Sequence, residues 1–352
     1  MATSHTDRLL RLASRCEVVA DEVRRDPRYS AVSDMIVDVA GTRVWSEHFS
    51  GPSVKDVFSV TKTVVATLIG VALERGDLPG LDVRVDRSLG RGGHPATAGA
   101  HDDGPAAPAG RANRPATPAG RAAGSTPPQT LRHLLTMTRG ARCDGPWNED
   151  AIRLRTDSWV RHVCSAPQVW VPGTTFTYDN GGVHLAAAVL DRAVGGTLLD
   201  YADRHLFAPL GITDWTWLTD PEGIPCGYAH LKLPAEALVA LGRFWSHDGS
   251  WLGRRVVPES YLNDMRAAQT PGGEPENRPY GYLTWVEDSE TFFAAGWAGQ
   301  LVLCRPRAAA VVVTTADPRF DPGPPPTDAM PADWRAPLEL LRGHVLPLLD
   351  AD

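Results

Sequence analysis

The stretch Val57–Leu78 reads VFSVTKTVVATLIGVALERGDL, and the rest of the chain is read outward from it. Val64, Val65, Leu68, Ile69, Ala72 and Leu73 recur at the three- and four-residue steps of one helix face. Gly76 is the stop signal, and Arg75 sits where a cation suits the negative end of a helix. Ser59 and Lys62, three residues apart, therefore share one side of the first turn. Of the 35 basic residues only three are lysines, Lys55, Lys62 and Lys232, so arginine supplies plain positive charge elsewhere. Arginine stays protonated in a protein, whereas a buried lysine can give up its proton. A serine beside such a lysine has the makings of a nucleophile and its base. On these residues alone, a capping serine and a lysine reaching solvent remain the alternative.

Upstream, MATSHTDRLLRLASRCEVVADEVRR puts Leu9, Leu12, Cys16, Val19 and Val23 on one side of an amphipathic helix, without a signal-peptide apolar core. Met35–Val39 and Thr42–Phe49 are strand-like around an Ala40-Gly41 turn. Downstream, Arg91 to Pro128 changes character: 25 of its 38 residues are Ala, Gly or Pro, with near-repeats such as PATPAGRA. The expectation is a disordered surface insertion, with a lid as the alternative. Helices are predicted in TLRHLLTMTRG and WVRHVCSAP, over Gly182–Val194, Leu198–Leu206 and Ala235–Ser246, and in PESYLNDM. YGYLTWVE, TFFAAGW, QLVLCRP and AAVVVTTA then read as an antiparallel meander, before a terminal helix around Pro337–Leu349. The fold class is α+β. An α/β domain is built from both termini (1–80 and 275–352), and a mainly helical segment (81–274) is inserted and carries the Ala/Pro/Gly-rich stretch. A site belongs in the crevice between them.

The formal charge of −7 and the lack of a basic run exclude a nucleic-acid footprint. Five scattered cysteines form no CxxC, and eleven histidines show no HExxH, so neither a disulfide framework nor a metal site is expected. No apolar stretch is long enough to span a membrane. These features predict a cytoplasmic protein that needs no cofactor, with small molecules as partners.

A serine attacks only when a base takes its proton, and a phenol can relay that proton between serine, lysine and leaving group. Tyr178-Asp179-Asn180, on the glycine-flanked loop PGTTFTYDNGG, supplies one. Tyr178 is the predicted acid/base, and Asn180 is predicted to hydrogen-bond Lys62 or the substrate. The second Tyr-x-Asn, Tyr261 to Asn263, falls in a helical pattern where Tyr261 packs. The stretch Ala295–Gln300, AGWAGQ, lies between two strands, and its small residues let a substrate approach the backbone. The amides of Gln300 and Ser59 would form an oxyanion hole. Trp297 is either substrate wall or core.

Taken in order, VFSVTKTVVATLIGVALERGDL, TLRHLLTMTRG, VPGTTFTYDNGGVHLAAAVLDRAVGGTLLDYADRHLFAPLGI and FFAAGWAGQLVLCRP resemble the serine β-lactamase and penicillin-recognising superfamily. The likeness is to its class C-like branch, with the family VIII carboxylesterases and nylon-oligomer hydrolases. The resemblance implies Ser59 as nucleophile, Lys62 as base, Tyr178 as acid/base and Asn180 in support. It also implies an antiparallel sheet flanked by helices, plus a helical domain. Where the β-lactamases carry Lys-Thr-Gly, this chain has Trp297-Ala298-Gly299. Losing that lysine removes the partner of a β-lactam carboxylate, and Trp-x-Gly resembles the esterase variant. The expectation is a serine hydrolase acting through an acyl-enzyme on small neutral acyl esters. An amide hydrolase or weak β-lactamase is the alternative within the enzymes. A catalytically silent ligand-binding scaffold is the alternative from another class.

Overall fold

The computed structural model describes residues 5–89, 127–319, 330 and 333–349. Helix α1 (His5–Arg25) leads into strands β1 (Val32–Val39), β2 (Thr42–His48) and β3 (Val54–Asp56), then α2 (Val60–Arg75). The middle holds α3 (Val85–Ser88), α4 (Leu131–Leu135), α5 (Glu149–Arg153), α6 (Trp159–Cys164), α7 (Asn180–Ala193) and α8 (Leu198–Ala202). Next come β4 (Thr216–Trp217), β5 (Leu231–Pro234), α9 (Ala235–Ser246), the hairpin β6 (Ser250–Trp251) and β7 (Arg254–Arg255), and α10 (Glu259–Arg266). Strands β8 (Thr270–Gly273), β9 (Arg278–Tyr280), β10 (Trp285–Val286), β11 (Phe292–Gly296), β12 (Gln300–Arg305) and β13 (Ala310–Ala316) precede α11 (Leu338–His344).

The main sheet has the order β2-β1-β13-β12-β11-β10-β9-β8, antiparallel throughout. The N-terminal hairpin thus adds to the last strand of the meander, and both ends of the chain share one sheet. Its turn is at Ala40 and Gly41, both at positive φ (50° and 80°), the conformation that matches the twist of a two-residue hairpin. Every residue of β13 is buried, so the strand loses the alternation of a half-exposed sheet and is covered on both faces. Helix α9 lies on β12 and β13, although its sequence position groups it with the helical segment. The contact is close because Gly242 has no side chain: a Cβ there would lie 2.5 Å from Val311 Cγ1. Helix α1 buries Leu12, Cys16, Val19 and Val23 as predicted, and packs against β2 and α11.

Helix α2 is buried, as its strongly apolar pattern predicts, and on every side rather than only on the face that the periodicity marks. All residues from Val60 to Ala72 are buried, because α2 runs between α7, α10 and the strands β11 and β12. A helix buried all round must satisfy its polar side chains internally. Thr63 Oγ1 donates to Leu283 O (2.7 Å), Thr67 Oγ1 to Thr63 O (2.7 Å), and Trp245 Nε1 to Thr67 Oγ1 (2.8 Å). Gly70 gives α10 room, since a Cβ would meet the Tyr261 ring at 2.7 Å. The Tyr261 hydroxyl donates to Ala66 O, so this second Tyr-x-Asn is packing, as predicted. Gly76 ends the helix at φ 77°.

Other elements are shorter than their patterns. The helix in TLRHLLTMTRG stops at Leu135, and Met137 turns the chain at φ 54°. Leu198–Leu206 divides into α8 and a π-helical turn, Asp203–Phe207. The strand predicted in YGYLTWVE is two residues long, Trp285–Val286. The predicted insertion Arg91–Pro128 lies outside the described residues, except for its last two.

Candidate active site

Three segments meet around Ser59. The first is the turn from β3 into α2. Phe58 adopts φ 45°, a left-handed conformation that costs a non-glycine residue about 1–3 kcal/mol. It brings Ser59 to the N-cap of α2, yet the Ser59 side chain makes no capping hydrogen bond. The hydroxyl instead accepts from Lys62 Nζ at 2.6 Å. That contact, with Lys62 buried to 1% exposure, removes the alternative of a capping serine and a solvent-reaching lysine. Lys62 Nζ also donates to Tyr228 O at 2.9 Å and stands 4.9 Å from the centroid of the Tyr178 ring. Burial lowers the Lys62 amine from 10.5 to about 7, against smaller opposing effects from Glu149, Cys226 and Asp179.

The second segment is the loop into α7. Tyr178 stacks on Trp285, with ring centroids 5.9 Å apart. Burial pushes its phenol above the ordinary range, and its hydrogen bond with Ser59 opposes the rise. Asp179 caps α7, accepting from the Gly182 amide at 2.9 Å, and forms a buried ion pair with Arg139. Of the two partners expected for Asn180, Lys62 is not the one it meets: Asn180 Nδ2 donates to Glu149, while Lys62 Nζ donates to Ser59 and to Tyr228 O. The Asn180 Oδ1 atom is buried without a hydrogen-bond partner.

The third segment is the crossing from β11 to β12. A Cβ on Gly296 would lie 2.4 Å from Val57 O and 3.1 Å from Ser59 N, so only glycine lets the end of β11 rest on the Ser59 backbone. Ala298 and Gly299 turn the chain at φ 67° and 98°. Thr314 Oγ1 donates to Gly299 O at 2.7 Å, which leaves the Gln300 N–H on the opposite edge of that trans peptide. The Gln300 carboxamide is fully engaged elsewhere: Nε2 donates to Ala316 O (2.7 Å) and Oε1 accepts from Ala316 N (3.2 Å). Any part it plays is therefore through its backbone.

Ser59 opens into a compartment of about 350 Å3 lined by Tyr178, Trp285, Trp297, Gly299, Gln300, Leu301, Trp334 and Leu338 among others. Trp297 is wall as well as packing: its ring meets Phe58 edge-on at 5.2 Å and Trp334 at 6.2 Å. An adjoining, more open compartment of about 630 Å3 shares Glu149, Tyr178 and Pro275, and adds Asn180, Asp150 and Glu274. No Lys, Arg or His is among the described residues lining either compartment. Carboxylates do line them: Glu149 and Glu276 in the first, and Glu149, Asp150 and Glu274 in the second.

The structure therefore brings together Ser59, Lys62, Tyr178, Trp297, Gly299 and Gln300, and sets Asn180 at the cleft's outer edge. Sequence reasoning missed Glu149, Tyr228, Trp285 and Trp334. Tyr228 acts through a carbonyl, which leaves no sequence signal. Glu149, in the run Asn148-Glu149-Asp150, reads as helix-start polarity, and Asn148 does cap α5.

A family model described as Beta-lactamase matches residues 36–329. A short stretch of 55 residues is 38% identical to the lovastatin esterase of Penicillium rubens, covering 16% of this chain and 14% of that protein. Among solved structures, the chain is similar to EstCE1, a hydrolase with promiscuous acyltransferase activity (TM-score 0.63, 18% identity, 88% of this chain and 94% of that one). It is also similar to a candidate 6-aminohexanoate-dimer hydrolase from Bacillus anthracis (TM-score 0.64, 16% identity, 95% and 81%). At these identities the structural matches speak for the fold, and the family model carries the assignment. The chain belongs to the beta-lactamase family of serine hydrolases.

Proposed function

We propose that the protein is a carboxylesterase that works through an acyl-enzyme on Ser59. The observation that carries this reading is the 2.6 Å contact between the buried Lys62 amine and the Ser59 hydroxyl. An amine held near 7 is partly free base at neutral pH and can take the serine proton as Oγ attacks the ester carbonyl. The amides of Ser59 and Gln300 are the candidate donors to the oxyanion. Tyr178, kept protonated by burial, gives its proton to the departing alcohol and regains one from the Lys62 ammonium. Water then enters by the reverse path and releases the acid.

The choice of esters rests on the cleft. Its inner compartment has tryptophan walls, and its charged lining is acidic, so a substrate carrying a carboxylate is repelled. That favours neutral esters over β-lactams, as does the limited similarity to an esterase. The test is hydrolysis of p-nitrophenyl acetate and butyrate by wild type and Ser59→Ala, with fluorophosphonate labelling beside it. The variant is expected to lose about 10³-fold or more in kcat. Neither turnover nor labelling in the wild type would sink the hydrolase mechanism and leave the ligand-binding scaffold. Faster turnover of a chromogenic cephalosporin or an amide than of the esters would overturn the ester assignment.

A further inference from the structure

One carboxylate outside the cleft touches both pieces of backbone that set the Ser59–Lys62 pair. Asp56 Oδ1 accepts from the Phe58 amide at 2.7 Å and from the His230 amide at 3.2 Å. Asp56 Oδ2 pairs with His230 Nδ1 at 2.6 Å. Phe58 and His230 are both non-glycine residues in the left-handed region, at φ 45° and 65°, a conformation that persists only when surrounding contacts impose it. Each stands within two residues of a functional atom. Phe58 precedes Ser59, and His230 lies two residues after Tyr228, whose carbonyl holds Lys62 Nζ. The strands beneath are tied to each other as well: β3 pairs with β5, Asp56 opposite Lys232, and the Val57 amide donates to Leu231 O at 2.9 Å.

We infer that Asp56 is a positioning residue. Its carboxylate holds two strained turns in register, so that the Ser59 hydroxyl and the Tyr228 carbonyl present themselves together to Lys62. The inference rests on the Ser59 acyl-enzyme reading and adds a residue to it. Asp56 lines neither compartment of the substrate cleft; it lines a separate cavity of about 400 Å3 on the other side of Phe58. Its loss therefore falls on the chemical step and not on substrate binding. An error of about 1 Å in such an alignment is worth about 10²-fold in rate.

Two conservative changes separate geometry from charge. Asp56→Asn keeps an acceptor oxygen for the two amides and discards the charge. Asp56→Glu keeps the charge and, with one more methylene, displaces the oxygens. For p-nitrophenyl butyrate, Asp56→Asn is expected to keep kcat within about tenfold of wild type, and Asp56→Glu to lose about 10²-fold, with KM within about threefold for both. Fluorophosphonate labelling of Ser59 should slow in the same order, since it needs the aligned nucleophile without full turnover. Asp56→Ala should resemble Asp56→Glu; if it does not fold, the order of the other two still decides. Equal kcat in all variants, Asp56→Glu faster than Asp56→Asn, or a change confined to KM would overturn the inference. Failure of the wild type to hydrolyse esters or take the label would instead remove the acyl-enzyme reading beneath it.

Discussion

Burial takes the Lys62 amine from 10.5 to about 7, and activity and stability then depend on pH in ways that follow from one group. As the proposed base, Lys62 would have to be neutral, so kcat/KM for an ester should climb as pH rises through about 7 and level off above it. Tyr178 stays protonated across this range and adds no limb there. A flat profile from about pH 5 to about pH 9 would remove Lys62 as the base. For stability, the unfolded lysine holds its proton up to about pH 10.4. Between about 7 and 10.4 the unfolded chain therefore binds more protons than the folded one, and this group's contribution to stability rises with pH. Below that window its burial cost is felt in full. Lys62→Met should abolish turnover yet be more stable than wild type at pH 7, by about 1–3 kcal/mol in urea unfolding. The gap should narrow as pH rises above about 7 and close within that window. A variant less stable than wild type at pH 7 would contradict this balance.

The Tyr178 loop shows how an element is held for chemistry. Asp179 caps α7 and pairs with Arg139, both side chains being under 5% exposed. Arg139 also reaches Val163 O at 3.3 Å, tying the loop to α6. Asp179→Ala leaves an arginine charge buried without its partner, which costs about 3–5 kcal/mol. A loss of that size in unfolding free energy, read from the fall in denaturant midpoint multiplied by the m-value, is expected, with lower kcat because Tyr178 is the preceding residue. An unchanged midpoint would show that the pair does not hold the loop. The loop itself was legible in the sequence, since its glycines and polar residues stand against an apolar helix. Its anchor was not, because Arg139 lies 40 positions earlier and resembles any other arginine. The same limit hid Glu149, Tyr228, Trp285 and Trp334, which are placed by packing between distant segments. Helix α2 was found from its period, but its burial on all sides depends on neighbours that local periodicity does not reveal. Of the two partners expected for Asn180, Lys62 is engaged with Ser59 and Tyr228 instead, because sequence order says nothing of where Lys62 Nζ points.

At the scale of the molecule, the shared sheet was legible because strand patterns stand at both ends of the chain and helical patterns between. One test concerns the excursion between α3 and α4. Its stems are joined before it departs: Arg84 bridges Thr130, the Val85 amide donates to Gln129 O (3.0 Å), and the Leu131 amide to Val83 O (3.1 Å). Replacing residues 90–126 with a linker about eightfold shorter changes loop-closure entropy by only about 2 kcal/mol, in the stabilising direction. Thermal unfolding and esterase activity should both survive; a collapse of either would mean that the excursion takes part in the fold or the cleft. The cleft also draws on the far end of the chain, with Trp334, Ala336, Pro337 and Leu338 lining the compartment that Ser59 opens into. During synthesis the nucleophile is therefore made on the order of tens of seconds before the last of its walls. A product cut short before Trp334 would carry Ser59 and Lys62 without these four wall residues. On the Ser59 acyl-enzyme reading, the shape that would select an acyl group is completed only once Trp334 to Leu338 have been joined to the chain.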